Sequence, residues 1–198
     1  MEVDGVMRDE PRGTLDGMST LVKDPAPVEF EALLERRRRL GQDRFDEVWE
    51  GVLHMNPAPS YEHQRLSQRL AVILDPLASA AGLEAVVGGV NIGDPGDYRI
   101  PDGSLHRPGS GGTYLPSAEL VVEIVSPDDD TWKKLVFYAA HQVDELLIVD
   151  PEKRRVDWLG LESGGEYAAI ERSRLIELGP VELAQRLDWP PPAVGAAP

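Results

Sequence analysis

The sequence places a charged residue inside an otherwise apolar run. Glu123 lies in the middle of the segment Leu120–Val125, whose other members are all Leu, Val or Ile. A carboxylate that is buried without a partner is strongly disfavoured, so such a group is neutralised, paired or bound to a cation. The alternative is an edge strand, whose period of two would let Glu123 point to water. Glu123 is therefore the first candidate site residue.

Two further residues could work with Glu123. Asp102 follows Pro101 on the preceding predicted strand, and an antiparallel pairing would bring its carboxylate beside that of Glu123. Two carboxylates in one small site repel each other unless a divalent cation joins them. Lys134, on the helix that follows, could position a water molecule or stabilise developing charge. This combination is suited to metal-dependent hydrolysis of phosphodiester bonds.

The elements that must position these residues can be predicted from the hydrophobic pattern. We expect a helix over Pro27–Leu40, a hairpin over Phe45–Met55 and a helix over Ser60–Leu74. Ser60 should cap the second of these helices, and Pro76 should kink or end it. Further strands are expected at residues 84–92, 98–105, 118–125, 146–149, 156–161 and 167–170, with a helix at 131–141. This order predicts an α/β or α+β domain with one mixed sheet flanked by helices.

Composition limits the class of protein. The chain has 198 residues, enough for one domain, and a net charge of −15. It contains no cysteine, which excludes disulfides, thiolate metal sites and cysteine nucleophiles. Because no apolar run approaches the roughly 18–20 residues of a membrane span, and the N-terminus lacks a hydrophobic signal core, we expect a cytoplasmic protein with no membrane partner. The acidic balance argues against a protein that coats DNA but permits a nuclease, whose site itself needs carboxylates.

Three segments are expected along the chain. Residues 1–26 are rich in Gly and Asp and predict a mobile leader, within which Met18 is an alternative start. Residues 27–189 are expected to form the domain. Residues 190–198 are rich in Pro and Ala, which predicts a disordered tail.

Four segments, in order, resemble a known family. They are Pro101-Asp102, Glu123-Ile124-Val125-Ser126-Pro127, Lys134-Leu135-Val136-Phe137-Tyr138-Ala139 and Leu147-Ile148-Val149-Asp150-Pro151. Over residues 27–162 the pattern resembles the Uma-type restriction endonuclease family, part of the PD-(D/E)xK nuclease superfamily. The resemblance implies a restriction-endonuclease-like α/β fold, with a mixed sheet flanked by helices. It also implies an endonuclease that depends on Mg²⁺ or Mn²⁺ and hydrolyses DNA.

The resemblance also implies roles for individual residues. Asp102 and Glu123 would bind the metal, the carbonyl of Ile124 would complete its shell, and Lys134 would orient the attacking water. The lysine of the superfamily usually follows the acidic residue by two positions, where this chain has a valine. The resemblance therefore places the lysine function on Lys134 of the helix and not on Lys133.

Two further assignments stay open. His63 lies on the apolar face of its helix, where a lone histidine is commonly a hydrogen-bonded core residue, but its position matches the family and makes it a candidate catalytic residue. Many members of the superfamily supply another carboxylate from the first helix. Because Val52 occupies the position at which the family often has an acid, Glu50 and Glu62 are the candidates.

The run Arg36–Arg39 and the function itself each have more than one interpretation. Basic residues in the last turn of a helix complement its macrodipole, which predicts a solvated helix end; the alternative is a phosphate-contacting patch. Besides the nuclease, the chain could be a catalytically inactive interaction or regulatory domain that kept the fold, or an enzyme for another phosphate ester. Cleavage of both DNA strands would make a homodimer natural.

Overall fold

The computed structural model describes residues 20–23, 28–126 and 130–190. The predicted leader before residue 20 and the predicted tail from residue 191 lie outside these residues. The helices are α1 (Val28–Leu40), α2 (Tyr61–Ala80), α3 (Leu135–Ala140) and α4 (Pro180–Arg186), and a 3₁₀ helix (Thr131–Lys134) leads into α3. The strands are β1 (Thr20–Lys23), β2 (Glu47–Trp49), β3 (Val52–Met55), β4 (Glu84–Val87), β5 (Asn91–Asp94), β6 (Asp97–Arg99), β7 (Gly103–His106), β8 (Tyr114–Leu115), β9 (Leu120–Ile124), β10 (Glu145–Asp150), β11 (Arg155–Leu161) and β12 (Tyr167–Ala169).

Across the described residues the strands form two mixed sheets of six strands each. The first sheet has the order β1-β3-β2-β6-β5-β8, and the second has the order β12-β11-β10-β9-β7-β4. In the second sheet β9 runs parallel to β10 and antiparallel to β7. The chain crosses from the first sheet to the second between β6 and β7, at residues 100–102. The α/β class predicted from the sequence is confirmed, but the prediction of a single sheet is wrong.

Two of the predicted strands are each divided into two shorter strands, and the two halves belong to different sheets. The run predicted as one strand over 84–92 divides into β4 and β5 at Gly88 and Gly89, which have φ angles of 61° and 73°. Left-handed backbone of this kind is easily adopted by glycine and ends a strand. The run predicted over 98–105 divides into β6 and β7 around Pro101, which has no N–H for a sheet ladder. Each break moves the chain from one sheet to the other.

The second sheet has an apolar core on each face. One core contains Leu120, Val122 and Ile124 of β9 together with the apolar faces of α2 and α4. The other contains Val121 of β9, residues of α3 and, from the first sheet, Ile92. The period of two along β9 therefore places Glu123 on the face that α3 covers.

Helix α2 begins as predicted but ends later. The Ser60 hydroxyl accepts a hydrogen bond of 3.2 Å from the His63 N–H, which confirms the predicted cap. The helix continues through Pro76 to Ala80, although proline removes one helical hydrogen bond. Leu77 and Ala78 continue the apolar face beyond Pro76 and pack into the core, and this packing compensates for the lost bond.

Three elements lie where the sequence predicted none: the strands β1 and β8 and the helix α4. Strand β1 pairs with β3 in antiparallel register, although its residues fall within the predicted mobile leader. A four-residue strand at a sheet edge carries too short a pattern to be distinguished from a tail. Helix α4 follows the last predicted strand and begins with Pro180, a residue favoured in the first helical turn. None of the helices that the structure describes is long and apolar enough to cross a membrane.

Candidate active site

Lys134 joins the two sheets through a pair of buried carboxylates. Its Nζ lies 3.0 Å from Oε1 of Glu47, on β2 of the first sheet. The same atom lies 3.2 and 3.3 Å from the two carboxylate oxygens of Glu123, on β9 of the second sheet. Burial disfavours the charged ammonium, but the charges of Glu123 and Glu47 outweigh burial and raise the pKa of Lys134 above its usual value. Lys134 is therefore a fixed cation between the sheets.

The neighbouring lysine points elsewhere. The Lys133 side chain is 71% exposed, and its Nζ forms an ion pair of 2.7 Å with Asp130. The structure thus separates the two lysines in the way that the resemblance implied.

Glu123 is buried and does not point to water. β9 lies between β7 and β10, so the edge-strand alternative is excluded, and the side chain is only 7% exposed. The Tyr138 hydroxyl of α3 donates a hydrogen bond of 2.5 Å to Oε1 of Glu123. Burial, followed by the negative charges of Asp102 and Glu47, raises the pKa of Glu123 to about 7, although Lys134 and Tyr138 oppose the shift.

Asp102 lies at the crossover between the sheets and is held at both oxygens. Its Oδ2 accepts a hydrogen bond of 2.7 Å from the Ile124 N–H, and its Oδ1 lies 2.7 Å from Nε2 of His63. Because an ionised carboxylate can only accept, Nε2 of His63 carries the proton. The other ring nitrogen of His63 lies 3.2 Å from the Ser126 hydroxyl. At 24% exposure, the Asp102 side chain is more accessible than that of Glu123.

Glu47 is the carboxylate that sequence reasoning missed. Its side chain is 2% exposed and accepts hydrogen bonds of 2.7 Å from the Ile100 N–H and 2.8 Å from Nε1 of Trp49. Neither of the two residues proposed from the sequence as the additional carboxylate, Glu50 and Glu62, lies at this position. Glu50 is exposed at the hairpin tip, with a φ of 51°, and Glu62 is exposed in the first turn of α2. The available signal was the alternation of Glu47 with Trp49 within the predicted hairpin.

Aromatic rings and an arginine pack around Trp49, the hydrogen-bond partner of Glu47. The indole of Trp49, which donates to Glu47, stacks on the His54 ring at 4.3 Å between centroids. The buried Arg99 guanidinium lies over Trp49 at 4.4 Å and over Phe137 at 4.0 Å from the ring centroids. This packing fixes the rotamer of Trp49 and, through it, the position of the Glu47 carboxylate.

Three carboxyl groups lie near one ammonium group at this site. We call these three, Glu47, Asp102 and Glu123, the carboxylate cluster. With Lys134 as their ammonium partner, these carboxyl groups leave one uncompensated negative charge when Glu123 is protonated and two when it is ionised. Within the described residues, no three His, Asp or Glu side chains converge as the ligands of one metal ion. Mg²⁺ is usually held by only one or two carboxylates and keeps several waters. The donor set of Asp102 and Glu123, with its excess negative charge, fits such an ion.

Comparisons with known proteins agree with this architecture. The model of the Uma2 family, described as "putative restriction endonuclease", matches residues 27–188. A search of the curated proteins found no match. Among solved structures, the chain is similar to the crystal structure of "a putative nuclease belonging to DUF820 from Anabaena variabilis ATCC 29413". That similarity has a TM-score of 0.57 at 16% identity and covers 71% of this chain and 90% of the other. At this identity it shows a shared fold.

A weaker similarity concerns a cryo-EM structure of a DrdV–DNA complex. Its TM-score is 0.32 at 17% identity, and it covers 55% of this chain and 12% of the other chain. A TM-score this low does not establish a common architecture.

Proposed function

The chain belongs to the Uma2 family, and on that premise we propose that it is a metal-dependent endonuclease that hydrolyses phosphodiester bonds of DNA. The family supports a nuclease in general. The observation that carries the finer proposal is the Lys134 ammonium held between Glu47 and Glu123, next to the accessible carboxylate of Asp102. A buried excess of carboxylates is costly for a fold that has no use for a cation. A metal-dependent phosphodiesterase needs such an excess of carboxylates to bind its divalent cation.

Asp102 and Glu123 would hold Mg²⁺ or Mn²⁺, and the main-chain carbonyl of Ile124 would be a third ligand. When bound, such an ion supplies activation of water and compensation for the negative charge that develops on the phosphate. The side chain of Ile124 is committed to the apolar core beneath α2, and its N–H is committed to Asp102. Only its carbonyl is left for this role.

The chain's own residues orient the reacting groups. Lys134 has three protons; Glu47 takes one, and the two oxygens of Glu123, at similar distances, share another. The third proton would bind the attacking water or a phosphate oxygen. His63 fixes the orientation of Asp102, and Tyr138 fixes that of Glu123. Glu47 therefore acts as the residue that positions Lys134.

The pair Lys134→Ala and Lys133→Ala tests the proposal. Loss of a group that positions water or stabilises charge costs about two orders of magnitude in rate. With Mg²⁺ or Mn²⁺ and plasmid DNA, we expect Lys134→Ala to lower the cleavage rate at least that much, while Lys133→Ala keeps the wild-type rate. Equal rates in the two variants would remove Lys134 from the mechanism. A wild-type protein that cuts no DNA with either metal would favour the non-catalytic interaction domain.

A further inference from the structure

Unpaired positive charge is concentrated at one place on this acidic molecule. Among the described residues, five exposed arginines have no carboxylate within 4.0 Å and form no ion pair. They are Arg36, Arg39, Arg44, Arg69 and Arg154. Three of the five, Arg36, Arg39 and Arg44, lie in the last turns of α1 and the turn that follows. We call these three the arginine patch.

A solvated helix end does not account for the arginine patch. The nine positions from 36 to 44 contain five arginines and one aspartate, in a chain whose net charge is −15. Arginines in the last turn complement the helix macrodipole, but Arg44 lies beyond the end of α1 and gains nothing from it. Arg36 and Arg39 are three residues apart on one helix, a spacing at which like charges repel. An anionic partner would relieve this repulsion.

The arginine patch is fixed relative to the carboxylate cluster. Between its members, Arg37 turns inward and binds both oxygens of Asp46, at 2.8 Å for the shortest contact. Asp46 also accepts a hydrogen bond of 3.2 Å from the Asn56 N–H, which ties α1 to the hairpin of β2 and β3. The residue after Asp46 is Glu47, the partner of Lys134. The end of α1 is therefore anchored one residue from the carboxylate cluster.

We propose that Arg36, Arg39 and Arg44 form the surface that contacts the phosphate backbone of double-stranded DNA during cleavage. The inference rests on the proposed function and assigns the place where that substrate is held. Guanidinium groups match the geometry of phosphate oxygens and remain charged at any accessible pH. Because the chain has a net charge of −15 and repels DNA, three exposed arginines at the end of a helix that is tied to the residue before Glu47 orient the duplex as well as binding it.

The test compares two triple variants of equal net charge. Arg36→Gln, Arg39→Gln and Arg44→Gln together remove the arginine patch. Arg107→Gln, Arg172→Gln and Arg186→Gln together remove three exposed arginines that pair with carboxylates elsewhere. Binding of a fluorescent duplex is measured by anisotropy in EDTA over a range of salt concentrations. Each lost phosphate contact lowers the slope of log K against log salt by about 0.9, so the first variant should lose about 2.7 and the second almost nothing.

A third variant and the melting temperature separate charge from folding. Lysine at the same three positions keeps the charge and should keep the salt slope. If the glutamine triple does not fold, the single glutamine variants should each lower the slope by about 0.9. Equal slopes in the patch variant and its control, or no binding of the duplex by the wild type, would overturn the proposal. A lower melting temperature with an unchanged slope would assign the arginines to the helix end.

A small substrate distinguishes failure of this inference from failure of the proposed function. Hydrolysis of bis(p-nitrophenyl) phosphate by the wild type with Mn²⁺ depends on the site and not on a surface that follows a duplex. Hydrolysis together with an unchanged salt slope in the patch variant would refute the arginine patch alone. Absence of hydrolysis would refute the proposed chemistry, while the salt slopes still decide whether the patch binds DNA.

Discussion

At the scale of the residue, burial and charge oppose each other around Lys134. The ammonium stabilises the ionised forms of Glu47 and Glu123, yet burial and the nearby Asp102 raise the pKa of Glu123 to about 7. One cation shared by several carboxylates cannot compensate all of them. Glu123 is the member of the cluster whose charge is least supported in the absence of a metal ion.

The first prediction concerns the pH dependence of stability in EDTA. Between its usual pKa of 4.5 and about 7, Glu123 is protonated in the folded protein but ionised in the unfolded chain. The folded state then binds more protons, so the free energy of unfolding of the wild type should fall as pH rises across this window. Glu123→Gln lacks this proton, so its stability relative to the wild type should rise over the same range and level off above pH 7. Urea denaturation at several pH values would measure the difference, and a flat difference would contradict it.

The second prediction concerns Glu47. Glu47→Gln keeps the shape of the side chain but leaves Lys134 with Glu123 as its only ionised partner, so the ammonium should be less firmly positioned. We expect DNA cleavage to fall by about tenfold to a hundredfold, less than for loss of the lysine itself. The matched control is Glu50→Gln at the exposed hairpin tip, which should cleave like the wild type. Similar rates for both variants would show that Glu47 has no positioning role.

At the scale of the element, each site residue depends on where a helix or strand begins. His63 reaches Asp102 from the first turn of α2, which the Ser60 cap holds in place. Asp102 and Glu123 meet because Gly103 lies opposite Val122 in the antiparallel pairing of β7 and β9. A shift of one residue in that register would move a whole set of side chains to the other face.

The third prediction tests the cap of α2. Ser60→Ala removes the acceptor for the His63 N–H and should lower the free energy of unfolding by about 1 kcal/mol. Ser60→Asp, which can accept the same hydrogen bond, should retain most of the stability. Urea denaturation of the wild type and the two variants measures these free energies of unfolding. Equal decreases in both variants would show that the cap contributes little.

The local pattern predicted part of this site but not its long-range partners. The apolar run around Glu123 was sufficient to single out that residue, and the resemblance to the family distinguished Lys134 from Lys133. Glu47 was not predicted because its role depends on contacts with Lys134 and Ile100, which lie 87 and 53 residues away in the chain. Nothing in the immediate surroundings of Glu47 indicates those contacts.

At the scale of the whole molecule, the carboxylate cluster draws on both sheets. The prediction of a single sheet failed because Gly88, Gly89 and Pro101 look like turns within one sheet, whereas each marks a transfer of the chain to the other sheet. The α/β class did not depend on that distinction, since it follows from the order of helices and strands alone. What unites the two sheets at the site is one ion-pair network.

The fourth prediction concerns stabilisation by metal. An ion that binds only the folded protein raises the free energy of unfolding by about 2.7 kcal/mol at a hundred times its Kd. Mg²⁺ should therefore raise the melting temperature of the wild type. Asp102→Asn should lose this increase. Asp75→Asn, an equal change in charge at an exposed position of α2, should keep it. The same increase in both variants would show that Mg²⁺ acts on the acidic surface in general.

The long separation between Glu47 and Lys134 also bears on how the protein is made. Ribosomes add roughly 5–20 residues per second, so Lys134 emerges roughly 4–17 s after its partner, and the arginines of α1 emerge earlier still. A nascent chain thus exposes the end of α1 before Lys134 is available to pair with Glu47. A chain that ends before the 3₁₀ helix leaves the Glu47 carboxylate without its ammonium partner.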